Sequence, residues 1–304
     1  MVRILVYTIN PFSINCGGIV VQYELCRILN NLGISVRIKS PRNIKNQIFN
    51  KYYNNDFDLN QTVVIYGETI EGNPLNAPHV MRWILAPVGR ICTPLHPTWG
   101  KNDIVYYFNS DTTFSNNEEQ IGKMYKTLTT IYLNPLIKNF NYKERKGYCH
   151  TFRKSSYHKT LKYSHPPGTS IEIKREHSTN QCIQIFNKSE IFISYDPLTF
   201  LSAISAMCGC ISVVIKVDGL NELDWLKTTA AYPYLKEKNM NKLFGIAYGL
   251  SEIDWAKNTI HLAKEQWNEI INHAKNTSLV PFLRDVQNIE NISYLENTVK
   301  NIFG

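Results

Sequence analysis

No run of apolar residues in the chain reaches the roughly 18 needed to cross a bilayer as a helix, so a membrane-spanning helix is not expected. The opening MVRILVYT is too short and too strand-like for a signal peptide. A cytoplasmic protein is therefore expected, in the host cytoplasm if its source is a virus. Disulfide scaffolding is not indicated either. The 7 cysteines are odd in number and scattered through apolar segments, as at Cys26 and Cys182, which fits reduced core residues. Cys208 and Cys210 flank Gly209, but no second Cys/His pair stands at metal spacing and no HxxxH pairing occurs. No resident metal or cofactor is expected. The GxGxxG fingerprint of dinucleotide enzymes is missing, and there is no internal repeat, low-complexity segment or nucleic-acid motif.

What remains is an ordinary globular composition on a long chain. At 304 residues there is enough sequence for two domains of roughly 150 residues each. An apolar content of 43% argues against disorder. A net charge of +8 asks for an acidic partner: nucleic acid, an anionic membrane surface touched peripherally, or a phosphorylated small molecule. The basic residues are spread out, with one dense patch at Lys143, Arg145, Lys146, Arg153, Lys154, Lys159 and Lys162. With no nucleic-acid motif beside it, nucleic acid is not the expected partner. Abundant Asn, Lys and Ile suggest an AT-rich genome, which bears on origin and not on chemistry.

Along the chain, strand VRILVYT (2–8), loop NPFSINCGG (10–18), a helix with Val20, Leu25, Leu29 and Leu32 at helical spacing that ends at Gly33, and strand ISVRIK make a βαβ unit. TVVIYG (62–67), IVYYFN (104–109) and TIYLN (130–134) are further strands, and a helix is predicted over 78–86. The charged segment IKNFNYKERKG (137–147) breaks the pattern. After it come strands YCHTFR (148–153), SIEIK (170–174), EIFISY (190–195), ISVVI (211–215) and FGIAYG (244–249), with a helix from Pro197 and a helical tail from Ser251. The expectation is α/β: two doubly wound Rossmann-like domains, 1–140 and 141–284, with an amphipathic helix over about 285–304 packing back on the first.

Ligands of open parallel sheets bind beyond the carboxyl ends of the strands. Gly17 and Gly18 follow the first strand and open a helix, so their N–H groups could meet a phosphate, or the pair could simply be turn geometry. Arg153 and Lys154 follow the first strand of the second domain, where two cations could neutralise a diphosphate and stabilise it as a leaving group; the alternative is a solvated loop pair. Asp196, before Pro197, has two readings as well. It could cap a helix, or it could stand with the N–H groups of Leu198, Thr199 and Phe200 at a helix mouth that faces a ligand. Glu68 follows the third strand and could bind or deprotonate an acceptor hydroxyl, or sit in a hydrogen-bonded turn. Asp56 and Asp58 spell DxD but precede a strand, which does not suit metal binding.

CGGIVVQYELCRILNNLGISVRI resembles the opening of GT-B glycosyltransferases, and YDPLTFLSAISAMCGCISVVI resembles their donor-site segment. VVIYGETIEGNPLNAPHVMRWILAPVG and FGIAYGLSEIDWAKNT resemble segments of bacterial and large-virus surface-polysaccharide transferases related to glycosyltransferase family four. The resemblance spans nearly the whole chain. It implies a GT-B architecture with two domains facing across a cleft. It also implies metal-independent transfer of a sugar, with retention, from a nucleotide-diphosphate sugar co-substrate to a glycan or lipid-linked glycan acceptor. Arg153 and Lys154 then match the basic pair that contacts the donor diphosphate, Gly18 the glycine loop, and Asp196 the first acid of a two-acid motif that contacts donor sugar hydroxyls. Ile204 occupies the position of the second acid, which bears on ribose recognition. A thymidine-diphosphate sugar fits that loss, with a uridine-diphosphate sugar as alternative if Ser202, Ser205 or a water takes the 2′-hydroxyl. A catalytically silent nucleotide-sugar or glycan-binding protein is the alternative function. A nicotinamide oxidoreductase is disfavoured by the missing fingerprint.

Overall fold

The computed structural model describes residues 3–9, 12, 16–40, 58–86, 89, 92–109, 126–152 and 162–290. The chain divides into two compact units, Met1–Tyr132 with His273–Gly304, and Leu133–Asn272.

The first unit is built on β1 (Arg3–Tyr7), α1 (Gly17–Asn31), β2 (Ser35–Lys39), β3 (Thr62–Gly67), β4 (His79–Ile84), β5 (Ile104–Tyr107) and a short β6 (Lys126–Thr127). These strands form one parallel sheet in the order β2-β1-β3-β4-β5-β6. Both faces are covered, which explains the nearly unbroken apolar runs of β1 and β3. Ile4 and Val6 of β1, Val63 and Ile65 of β3, and Met81 and Trp83 of β4 share a core with Tyr23, Leu25 and Leu29 of α1. Leu5, Tyr7, Val64, Tyr66 and Val80 pack in a second core on the opposite face with Ile70 and Ala77. Gly33, at φ +79°, ends the α1 turn as its position predicts.

Two sequence-based expectations are corrected here. Residues 79–84 form a central strand and not a helix. In HVMRWI the Arg resembles the polar stripe of an amphipathic helix, yet Arg82 is fully buried, paired with Asp103 at 2.7 Å and lying over the rings of Tyr66 and Trp99. The strand expected at 130–134 is also absent. Among the described residues pairing with β5 involves Lys126 and Thr127, after which Thr129 donates its hydroxyl to the Phe108 carbonyl and Thr130 to that of Val21.

The second unit contains β7 (Tyr148–Thr151), β8 (Ile171–Glu172), α2 (Thr179–Lys188), β9 (Ile191–Ser194), α3 (Leu201–Met207), β10 (Ile211–Val214), α4 (Glu222–Lys227), α5 (Tyr232–Glu237), β11 (Ile246–Tyr248) and α6 (Ile253–Thr259). Its sheet is parallel, in the order β11-β10-β9-β7-β8. The charged segment 137–147 is fastened to this unit. Asn187 accepts the Phe140 N–H and donates to the Lys138 carbonyl, and Arg145 donates to the carbonyls of Phe186 and Cys208 at the ends of α2 and α3. One cation of the dense basic patch is thus a brace on helix C-termini.

α7 (Ala263–Ala274) carries the chain back to the first unit, where α8 (Val280–Glu290) packs Phe282, Leu283 and Val286 into the core shared with α1. Asp285 binds both Tyr106 and Lys126. The rest of the expected return helix, 291–304, lies outside the described residues. No helix among the described residues is long and apolar enough to cross a membrane.

Candidate functional site

At the carboxyl edge of the first sheet, α1 begins without a capping side chain. Cys16 at its N-cap makes no side-chain hydrogen bond, and no acidic residue occupies the first turn. Among the described residues no side chain meets its first N–H groups or the positive end of its dipole. Neither Gly17 nor Gly18 has a positive φ, so the backbone does not require glycine at either place. Among the described residues a Cβ on Gly17 would meet nothing within 4 Å, and one on Gly18 would touch only Leu85. The open space is suited to close approach of a ligand.

Glu68, directly after β3, is buried beside this edge, and its Oε2 accepts the Leu85 N–H at 3.0 Å. Burial pushes the carboxyl pKa up, opposed by the backbone N–H groups of Leu85, Glu68 and Ala86. It is thus a turn-bound carboxylate with raised basicity. Gln22, one turn into α1, is 6% exposed and its Oε1 has no partner among the described residues, while its amide nitrogen lies 3.5 Å from where a Cβ on Gly67 would stand. Sequence reading passed over Gln22. A polar residue at its place on a helix facing the sheet was the only available signal.

In the second unit Asp196 follows β9 and is 1% exposed. Its Oδ1 accepts the Leu198 N–H at 2.9 Å, its carbonyl accepts the Thr199 N–H at 3.4 Å, and Ser194 Oγ donates to that carbonyl at 2.8 Å. α3 starts at Leu201, later than the helix expected from Pro197, because this turn absorbs the first N–H groups. The Leu198 and Thr199 N–H groups are thus engaged within the Asp196 turn in this structure. Phe200, the N-cap, keeps its N–H without an acceptor among the described residues and packs its ring edge-on to Trp267. Trp225 of α4, buried, donates its indole N–H to the Pro197 carbonyl at 2.8 Å and locks the same turn from the far side.

Arg153 and Lys154 lie outside the described residues. The register Thr151↔Ser194 brings the end of β7 beside that of β9, and Phe152 stacks on Tyr195 at 4.9 Å. The described part of β7 and Phe152 thus ends beside the segment that carries Asp196. Around Tyr195 the rings of His150 and His165 stack at 3.9 Å. Tyr195 Oη accepts the Ser164 N–H and meets His165 Nδ1 at 2.8 Å, and His150 Nδ1 meets Ser170 Oγ at 2.7 Å. Burial lowers the pKa of both histidines, and for His150 the neighbouring His165 adds to the effect.

Ile204 is half-buried in α3. Of the two serines beside it, Ser205 donates to the Ser202 carbonyl at 2.9 Å, whereas the buried Ser202 hydroxyl has no partner among the described residues. Asp58 caps a single turn at Leu59–Gln61 by accepting the Asn60 N–H, and Asp56 lies outside the described residues. Among the described residues no group of three or more His, Cys, Asp or Glu side chains could hold a metal ion.

The fold is that of a two-unit α/β protein with Rossmann-like parallel sheets, and polar residues stand at the carboxyl edge of each. No protein-family model matches the chain, and no curated protein matches it at a significant level.

Proposed function

We propose that the protein is a GT-B glycosyltransferase, its two units facing across a cleft, that moves a sugar from a thymidine- or uridine-diphosphate donor to a glycan or lipid-linked glycan acceptor. One observation carries the reading. The uncapped start of α1, the buried Glu68 and the buried Asp196 each follow a strand at the carboxyl edge of a parallel sheet, where such sheets bind ligands.

In the transfer, an acceptor hydroxyl attacks the anomeric carbon, the bond to the diphosphate oxygen breaks, and the leaving diphosphate takes the electron pair. Arg153, Lys154 and the N–H groups of Gly17 and Gly18 stabilise that charge. Glu68, made more basic by burial, takes the acceptor proton. Asp196 accepts from donor sugar hydroxyls. Retention of configuration and metal independence follow from the family resemblance, and activity should persist in excess chelator.

A second reading, a nucleotide-sugar or glycan binder without turnover, is favoured by Ile204 and by the engagement of the Leu198 and Thr199 N–H groups within the Asp196 turn. A panel of nucleotide sugars separates the two. Release of nucleoside diphosphate supports the transferase. Thermal stabilisation without release supports the binder, and neither effect sinks both.

A further inference from the structure

An open cavity of about 510 Å³ lies at the carboxyl ends of β1 and β3. It sits on the sheet face away from α1, because its residues Tyr7, Ile9 and Ile70 belong to the second core and not to the one shared with that helix. Tyr7, Ile9, Ile70 and Pro74 supply apolar wall, and Thr69 and Glu71 supply polar groups. Glu71 is exposed and makes no ion pair among the described residues. Among the described residues no lysine or arginine lines the cavity, although the chain carries a net charge of +8. A phosphate or other anion therefore finds no counter-charge among the described lining residues, and meets the Glu71 carboxylate instead.

The loop that forms one wall is held from several sides. Arg82 donates to the Gly72 carbonyl at 2.6 Å and reaches that of Ile70 at 3.4 Å. Trp99 Nε1 also donates to Ile70, and Thr98 Oγ1 accepts the Gly72 N–H at 2.9 Å. Asn73, itself part of the lining, accepts from the Tyr66 hydroxyl and the Ala77 N–H and donates to the Ala77 carbonyl. Arg82 is held in turn by Asp103. A wall fixed this way is preformed, so a ligand loses little affinity to ordering it.

We propose that this cavity is a subsite for an uncharged sugar ring, with Glu71 the residue that sets its selectivity. An aromatic and aliphatic wall receives the C–H face of a sugar, and hydroxyls of Tyr7 and Thr69 with a carboxylate meet its O–H groups. The same carboxylate repels a uronic acid, whose own carboxylate finds no cation among the described lining residues. The identification of this sugar as the acceptor of the transfer rests on the transferase reading. The selectivity does not.

The test is saturation-transfer NMR with methyl glucoside, galactoside and mannoside, each paired with its 6-carboxylate counterpart. At least one neutral glycoside should bind, with its carboxylate partner weaker by roughly tenfold, and Glu71→Gln should shrink that gap to about threefold or less. Tyr7→Phe, which keeps the packing, should weaken the neutral glycoside. Binding of no neutral glycoside, equal binding within each pair, or a gap unchanged by Glu71→Gln overturns the proposal. Nucleotide-sugar hydrolysis is measured on the same samples. Selective glycoside binding without hydrolysis sinks the transferase and leaves the subsite, whereas hydrolysis without glycoside binding does the reverse.

Discussion

Asp196 and Leu198 are joined across two residues by a hydrogen bond, the buried carboxylate Oδ1 accepting the Leu198 N–H at 2.9 Å. An asparagine can accept the same N–H. Asp196→Asn should therefore leave the melting temperature nearly unchanged while cutting sugar transfer by at least about tenfold, since a neutral amide is a weaker partner for donor hydroxyls. Full activity with a lowered melting temperature would reduce Asp196 to a turn lock.

The Arg82–Asp103 pair has side chains 0% and 11% exposed. Asp103→Ala strands a buried guanidinium and should cost about 3–5 kcal/mol in denaturant unfolding. Glu144→Ala, which breaks the exposed pair with Lys146, should change stability by about 1 kcal/mol or less. Similar losses in the two variants would refute the central role of Arg82.

Glu68 has a pKa raised above 4.5 in the folded protein, chiefly by burial. Relative to Glu68→Gln, which keeps an acceptor for the Leu85 N–H, the wild type should be most stable below pH 4.5. It should then lose ground as pH rises through the raised folded value. Melting temperatures of both proteins between pH 4 and 8, roughly the span over which a shifted carboxyl titrates, give the sign directly. A difference that grows in favour of the wild type with pH would contradict the burial.

The histidine stack has the opposite sign. His150 and His165 hold their protons less tightly than the ordinary 6.5. The unfolded chain then binds more protons just below that pH, so stability from this pair is present above 6.5 and lost as pH falls toward the depressed folded values. His165→Gln should flatten the melting-temperature profile on the acid side of 6.5. An unaltered profile would show that the stack is not titrating.

At Ile204, calorimetric titration with the diphosphates of uridine and deoxyuridine isolates the 2′-hydroxyl. A buried hydroxyl without a partner costs roughly 1–3 kcal/mol, so the deoxy form should bind more tightly. Equal affinities would mean that the Ser202 hydroxyl, without a partner among the described residues, or a water takes the place of the missing acid.

The strands at 3–7, 62–67, 191–194 and 211–214 and the helix α1 could be read directly, because each is a β-branched or regularly spaced apolar segment bounded by polar or glycine residues. Their alternation also shows parallel sheets, and hence which loops lie at the carboxyl edges. Glu68, Asp196 and the two glycines were found from that logic alone. What it could not show was how each is used. Whether the Leu198 and Thr199 N–H groups point to a ligand or into the Asp196 turn is decided by a few ångströms of backbone that local pattern does not encode.

The sequence by itself determined the parallel α/β character, the crossover helix α1, the helix near Pro197 and the candidate edge residues, since these depend on periodicity and near neighbours. Tertiary structure alone decided the strand at β4 and the cavity beside Glu71. Arg82 fits a central strand only because Asp103 and the carbonyls of Ile70 and Gly72, distant in sequence, neutralise and bond it. Glu71 looks like any surface glutamate until β1 lies beside β3 and brings Tyr7 and Ile9 against its loop. Pairings between distant segments create both environments, and no local window of the sequence contains the two partners.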